Sequence, residues 1–128
     1  MRILSEKSCK TNWDNFKIEE NILYLRYRNI ECLDGLEKYS NLVYVDLSNN
    51  QIKNIDPLRH LTEIKFLYLG NNQIKNINAL TQLSGLSRLD LSNNYINNIE
   101  ALKNLTGLAE LCLNNNQIKE YRSIETFN

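Results

Sequence analysis

The sequence predicts a solenoid, in which short repeated units stack side by side around one shared core. Residues 41–128 contain four copies of a 22-residue unit, at 41–62, 63–84, 85–106 and 107–128. Apolar residues recur at the same offsets in each copy, and an asparagine stands at the tenth position. A unit of this length cannot bury its own apolar side, so it must stack on its neighbours.

Each unit is expected to begin with a short strand and to return through turns. In the first copy Leu42, Val45 and Leu47 include one alternating apolar pair, which is typical of a strand with one buried face. The three-residue spacing that follows favours turn or 3₁₀-like coil. Equivalent strands placed side by side form a parallel sheet with a spacing of about 4.8 Å. The predicted fold class is therefore an α/β-type solenoid with mostly 3₁₀ and coil segments opposite the sheet.

Four equivalent asparagines follow the predicted strands: Asn50, Asn72, Asn94 and Asn116. A tight turn leaves backbone groups without strand partners, and a carboxamide has the donors and the acceptor to satisfy them. Asparagine is also favoured in turns for its own sake, but the preceding residue, such as Asn49, already meets that need. The pattern predicts a buried ladder of asparagines.

The repeat L-x-x-L-x-L-x-x-N-x-I-x-x-I-x-x-L-x-x-L resembles the leucine-rich repeat superfamily. Its 22-residue length and its paired isoleucines, such as Ile52 with Ile55 and Ile74 with Ile77, resemble the subfamily found in internalins and in the leucine-rich regulatory subunit of protein phosphatase 1. The resemblance covers residues 21–128. It implies a right-handed horseshoe with a parallel sheet on its concave side, in a family whose members bind proteins.

Residues 21–40 form a fifth, shorter unit at the start of the repeats. The apolar template places Ile22, Leu25 and Tyr27 in its core, and Asn29 is expected to substitute for the ladder asparagine. Terminal repeats are expected to be atypical because one side meets solvent.

Residues 1–20 are expected to cap this first coil. Alternation on both sides of Glu20 favours a hairpin that lays an extra antiparallel strand on the coil and covers the sheet edge. A short helix around Asp14 is the alternative.

The final coil is not followed by a polar covering segment. Exposed apolar area of this kind often marks an interface. The final coil is expected to present four apolar residues to water and to self-associate through them: Leu111, Leu113, Ile118 and Phe127.

The composition excludes several classes of partner. With 15 basic and 15 acidic residues the net charge is zero, so neither nucleic acid nor an anionic membrane is expected to bind. The apolar runs are too short for a membrane span or a signal peptide, which predicts a cytoplasmic protein.

The cysteines Cys9, Cys32 and Cys112 are an odd number without close spacing. This argues against both a disulfide framework and a zinc site, so free thiols are expected. Cys112 lies at an outward strand position and is expected to react with an alkylating agent more readily than Cys32.

The residues between the core positions of each strand face outward, because alternate side chains point to opposite sides of a sheet. Alignment of the five coils places three aromatic residues in one outward column and a fourth beside them, a composition typical of interfaces. For the rings, the alternative is that they stabilise neighbouring strands. For the charges, the alternative is that they compensate one another in two pairs, Arg26 with Asp46 and Arg88 with Glu110. The first column contains Tyr24, Tyr44, Phe66, Arg88 and Glu110, and the second contains Arg26, Asp46, Tyr68, Asp90 and Cys112.

The sequence offers little for catalysis. His60 is the only histidine, and no acid or nucleophile stands at a suggestive spacing from it. Asp46 and Asp90 are expected to lie two coils apart, about 10 Å, on an open sheet that cannot exclude water. We expect no enzyme activity, no cofactor and no metal.

The predicted function is a protein–protein interaction module that binds its partner on the concave sheet. Two alternatives are a regulatory or inhibitory subunit of an enzyme or toxin, and a structural block that self-associates through its final coil. The predicted contact residues are Tyr24, Arg26, Tyr44, Asp46, Phe66, Tyr68, Arg88, Asp90 and Glu110.

Overall fold

A computed structural model of the chain describes residues 11–119 of the 128. Its five strands lie in chain order in one parallel sheet, as the predicted solenoid requires. Each strand has three residues and pairs in register with the equivalent residues one coil further on. The strands are β1 (Ile22–Tyr24), β2 (Tyr44–Asp46), β3 (Phe66–Tyr68), β4 (Arg88–Asp90) and β5 (Glu110–Cys112).

Short 3₁₀ helices stand on the return paths of the first four coils, and a further one precedes β1; the predicted fold class is confirmed. Each of the three middle return segments is preceded by an asparagine whose Oδ1 accepts a backbone N–H two residues on. Asn54 accepts from Asp56 N at 2.8 Å, and the equivalent bonds of Asn76 and Asn98 measure 2.8 and 2.9 Å. The 3₁₀ helices are Trp13–Asn15, Leu36–Lys38, Asp56–Leu58, Asn78–Gln82 and Glu100–Leu102.

The core runs without interruption between the sheet and the 3₁₀ segments. Leu47, Leu69 and Leu91, which follow three successive strands, are completely buried. Each coil therefore buries its apolar side against its neighbours, as in other repeat folds. None of the helices in residues 11–119 is long and apolar enough to span a bilayer.

The asparagines after the strands connect neighbouring coils. Asn50 Nδ2 donates to the carbonyls of Leu25 and Leu47 at 2.9 Å each, one in the preceding coil and one in its own. Its Oδ1 accepts from the backbone N–H groups of Arg28 and Ile30 at 3.0 Å. Asn72, Asn94 and Asn116 repeat the bonds to two leucine carbonyls and the bond from one isoleucine N–H.

The strand of the first coil is displaced by two residues from the alignment that the sequence suggests. Leu23 pairs with Val45, so a full 22-residue step separates the first coil from the second. Ile22 and Tyr27, which we expected in the core, are 47% and 72% exposed. The apolar template was misleading because Glu20 stands where the later coils have an apolar residue.

The same displacement removes Asn29 from the ladder. The position equivalent to Asn50 is occupied by Arg28, whose backbone N–H donates to Asn50 Oδ1. Asn29 is exposed and has a φ of 55°. The first coil therefore has no ladder asparagine of its own and is held by that of the second.

The segment before β1 contains the short helix that was our alternative, Trp13–Asn15. Trp13 is buried, and its Nε1 donates to the carbonyl of Asp34 at 2.8 Å. Gly35 has a φ of 95°, and a β-carbon there would lie 3.0 Å from Trp13 Cδ1. Antiparallel pairing in this segment is limited to one bridge, Glu19 with Ile22, so a hairpin strand is not formed in residues 11–20.

Cys32 corrects a further expectation, because it is disulfide-bonded and not a free thiol. Spacing along the chain is a poor guide here, since stacking brings distant segments together. Disulfides persist mainly in oxidising compartments, so this bond gives no support to a cytoplasmic location.

Candidate functional site

The outward face of the sheet carries two columns of side chains, whose composition follows from the strand register. The two-residue displacement of β1 moves Tyr24 from the first column to the second, opposite Asp46. It also moves Arg26 out of the second column, to the turn position beside Ser48. The first column is Ile22, Tyr44, Phe66, Arg88 and Glu110, and the second is Tyr24, Asp46, Tyr68, Asp90 and Cys112.

Four aromatic residues on the first three strands form what we call the aromatic patch: Tyr24, Tyr44, Phe66 and Tyr68. The ring centroid of Tyr44 lies 6.1 Å from that of Phe66 and 5.5 Å from that of Tyr68, with tilted planes. These distances fall in the range where aromatic pairs attract each other. Tyr24 is 56% exposed, and the other three rings are half-buried.

Ile22 extends the patch and was missed by the sequence reasoning. It lies beside Tyr44 in the first column and is 47% exposed. The signal that could have found it is the alternation of Ile22 and Tyr24 around Leu23, which places both on the face opposite the core.

Burial raises the pKa of the Tyr44 hydroxyl, and the nearby Tyr68 and Asp46 raise it further. The phenol is therefore neutral at physiological pH. The patch offers apolar ring surface and the neutral Tyr44 hydroxyl to a partner.

Arg88 and Glu110 border the patch toward the C-terminal end of the sheet. Arg88 Nε lies 3.4 Å from Glu110 Oε2, and its guanidinium carbon lies 5.8 Å from the Phe66 ring centroid. Both side chains of the ion pair are more than half exposed, so the pair is worth less than about 1 kcal/mol. Its clearer effect is to hold Arg88 over one edge of the patch.

Arg26 borders the opposite end. Its Nε lies 3.9 Å from Asp46 Oδ2, its Nη1 donates to the Tyr24 hydroxyl at 3.4 Å, and its guanidinium lies over the Tyr27 ring. The structure brings together the two charge pairs that the sequence suggested, although Arg26 reaches Asp46 from the neighbouring turn and not from directly across the sheet.

The two concave aspartates have local structural partners. Asp46 Oδ1 accepts the backbone N–H of Ser48 at 3.0 Å, and Asp90 Oδ1 accepts both the N–H and the hydroxyl of Ser92, at 2.9 and 2.7 Å. Asp90 is one of the predicted contact residues, and the hydrogen bonds that it accepts within the chain come from Ser92. These bonds satisfy backbone donors where the strands end.

Cys112 is the free thiol among the cysteines in residues 11–119. Partial burial raises its pKa, and the neighbouring carboxylates of Asp90 and Glu110 raise it further. Cys112 is exposed. The thiolate is the reactive form of cysteine, and a raised pKa lowers the thiolate fraction. Cys112 is therefore poorly suited to nucleophilic chemistry.

The final coil is less open than the sequence suggests. Leu113 is buried, and Leu111 and Ile118 are half-buried against the core. The expectation that Leu113 faces water is therefore wrong, since its side chain packs on the preceding coil. Phe127 lies outside the described residues.

No cluster of three or more His, Cys, Asp or Glu side chains in the described part of the chain is placed to hold a metal ion. His60 is exposed. The concave face combines an aromatic surface with the paired charges at its borders.

Comparison with known proteins agrees with this architecture. The family model described as leucine-rich repeats in two copies matches residues 21–60, 40–87 and 62–104, which together cover more than half of the chain. Comparison with curated protein sequences finds no significant match.

Several solved structures are similar to the chain. Internalin C2 from Listeria monocytogenes is 35% identical, with a TM-score of 0.80 over 84% of this chain and 48% of its own. An internalin F from the same species is 27% identical, with a TM-score of 0.67 over 84% of this chain and 38% of its own. A leucine-rich repeat protein from Leptospira interrogans is 29% identical, with a TM-score of 0.76 over 83% of this chain and 28% of its own.

The chain spans about half or less of the length of these structures. Such proteins are typically non-catalytic, and their fold is a general scaffold for protein–protein interaction. The 22-residue period, the five-stranded parallel sheet, the bridging asparagines and the family match lead to one assignment: the chain belongs to the leucine-rich repeat family.

Proposed function

We propose that the chain is a non-catalytic recognition module that binds a partner protein through the aromatic patch. The observation that carries the proposal is the placement of Tyr24, Tyr44, Phe66 and Tyr68 together on the concave side of a sheet whose other side packs against the core. Tyrosine and phenylalanine are enriched at protein interfaces, where a few residues carry most of the binding energy.

Rigidity supports this role. The rings pack against one another, and asparagine side chains fasten the strands beneath them to the next coil. A surface that is already ordered loses little conformational entropy when a partner binds. The patch is therefore suited to recognition without a change of fold.

The charges around the patch indicate the chemistry of the partner surface. Arg26 and Arg88 are each paired within the chain, with Asp46 and Glu110. A partner does not need to neutralise these arginines. The main contribution to the binding free energy therefore comes from apolar or aromatic side chains of the partner that pack on the rings. The paired charges form a polar rim.

The test compares wild-type protein with a Phe66→Ala, Tyr68→Ala variant as bait in affinity capture from the native host, followed by mass spectrometry. A protein recovered by wild type is then purified and its affinity is measured for both baits. We expect the binding free energy of this protein to be weaker by at least about 2 kcal/mol for the double variant than for wild type. A His60→Ala variant is the matched control, because His60 carries an exposed ring outside the sheet and belongs to neither proposed site.

Equal recovery and equal affinity with the double variant would exclude the aromatic patch as the binding surface. An activity assay on a captured enzyme, with and without the chain, tests the narrower proposal of a regulatory or inhibitory subunit. A partner whose activity does not change supports a scaffold role.

A further inference from the structure

A groove lies outside the sheet, on the flank of the coils between the strands and the 3₁₀ segments. Its volume is about 690 Å³, which is within the range of small-ligand sites. We call it the flank groove. The residues that matter for its chemistry are Lys53, Gln73, Lys75, Asn76, Tyr95 and Gln117.

Tyr95 breaks the repeat at the centre of this groove. The equivalent positions in the other 22-residue copies are occupied by glutamine: Gln51, Gln73 and Gln117. The Tyr95 side chain is 51% exposed, and within residues 11–119 it makes no hydrogen bond or ring contact. The ring adds an apolar face to an otherwise polar lining and is not needed for the packing of its coil.

Two lysines give the groove its charge. Lys53 and Lys75 occupy equivalent positions in adjacent coils, and neither ammonium group has a carboxylate within salt-bridge distance in the described part of the chain. The carboxylate of Asp56, also on the lining, lies 3.5 Å from Arg59 Nη2. The unpaired charge in the groove is therefore positive.

The backbone holds the lining in place. Gln73, Tyr95 and Gln117 each donate their backbone N–H to an isoleucine carbonyl of the preceding coil, at 2.8 to 2.9 Å. Asn76 is fixed by its bond to the backbone N–H of Asn78. The ring, the carboxamides and the ammonium groups are thus presented on a rigid frame, which reduces the entropy lost on binding.

We propose that the flank groove binds an acidic saccharide, with a sugar ring stacked on Tyr95 and carboxylate groups on Lys53 and Lys75. The carboxamides of Gln73 and Gln117 supply donors and acceptors for hydroxyl groups. A sugar presents one apolar ring face and many hydroxyl groups, which matches one aromatic ring among polar side chains. An acidic peptide matches less well, because peptide grooves also need apolar pockets for side chains.

The test uses the whole chain and measures binding of trigalacturonic acid by calorimetry. We expect millimolar or tighter binding that weakens as salt is added, since the charges are exposed. The fully methyl-esterified trisaccharide has the same rings without the charge, and we expect it to bind roughly tenfold more weakly. Binding of the ester as tight as that of the acid would overturn the role of the lysines.

Variants locate the site. Tyr95→Gln restores the residue of the other copies, so it should leave thermal stability unchanged while weakening binding roughly fivefold. Lys53→Gln with Lys75→Gln should weaken it at least tenfold. Lys65→Gln removes an exposed lysine elsewhere and Tyr68→Ala alters the aromatic patch, and both should bind like wild type.

Three further outcomes contradict the proposal: no binding at about 10 mM saccharide, unchanged binding by Tyr95→Gln, or tighter binding of hexaglutamate than of the saccharide. The last result would assign the groove to an acidic peptide. The proposal does not depend on the aromatic patch, because the two surfaces share no residue.

Discussion

Asn72 and Ile52 are joined across neighbouring coils, with the backbone N–H of Ile52 donating to Asn72 Oδ1 at 3.0 Å. The same side chain donates to the carbonyls of Leu47 and Leu69, at 3.1 Å each. The carboxamide thus satisfies the Ile52 N–H and shares the two carbonyls with the neighbouring ladder asparagines, Asn50 and Asn94.

Replacing Asn72 by alanine should destabilise the fold by about 3 kcal/mol. The buried Ile52 N–H would lose its acceptor, which costs about 1 to 3 kcal/mol, and the Leu47 and Leu69 carbonyls would each lose one of two donors. Urea denaturation measures the change. Asn116→Ala is the matched control: it breaks equivalent bonds at a half-buried position, so its loss should be smaller. Equal losses would mean that burial does not set the strength of the ladder.

Gly70 should tolerate a larger side chain less well than Gly85. A β-carbon at Gly70 would lie 3.2 Å from both Asp90 Oδ2 and Ser92 Oγ, whereas at Gly85 the nearest atoms are 3.7 Å away. We expect Gly70→Ala to lower stability by about 1 kcal/mol, as the Asp90 carboxylate must shift. Gly85→Ala should lie within about 0.5 kcal/mol of wild type. Thermal melting of both variants distinguishes them, and equal melting temperatures would contradict the close approach of Asp90.

Sequence periodicity was sufficient to predict the architecture, since period and burial are linked. Positions such as Leu47 and Leu69 must be apolar in every coil for neighbours to share a core, and the same spacing placed Asn50 and Asn72 at the ends of strands. These constraints act on every repeat, so they are visible without coordinates.

The first coil and the groove could not be predicted in the same way. The apolar template fits the first coil in two registers, and only the pairing of Leu23 with Val45 separates them. The flank groove depends on how Lys53, Lys75 and Tyr95 are arranged across three coils, and periodicity describes one coil at a time. The disulfide at Cys32 depends on a contact between segments, which spacing does not reveal.

The register of the first coil can be tested with two adjacent substitutions. Leu23 is fully buried and Ile22 is about half exposed. Leu23→Ala should destabilise the fold by about 2 to 5 kcal/mol, the range for a large residue lost from a core. Ile22→Ala should lower stability by less than about 1 kcal/mol. Chemical denaturation measures both, and the reverse order of effects would restore the alignment with Ile22 in the core.

The environment of Cys112 should slow its alkylation. Its pKa is raised by partial burial, and by the negative charges of Asp90 and Glu110, which oppose formation of the thiolate. The rate of reaction with iodoacetamide, followed by mass spectrometry of the peptide that contains Cys112, should therefore reach its half-maximum at a higher pH in the folded chain than in urea. Asp90→Asn removes one of the opposing charges, so its half-maximum should move to lower pH and its rate at pH 7.5 should rise about two- to fivefold. Coincident pH profiles for the folded and unfolded wild type would show that the thiol does not experience these carboxylates.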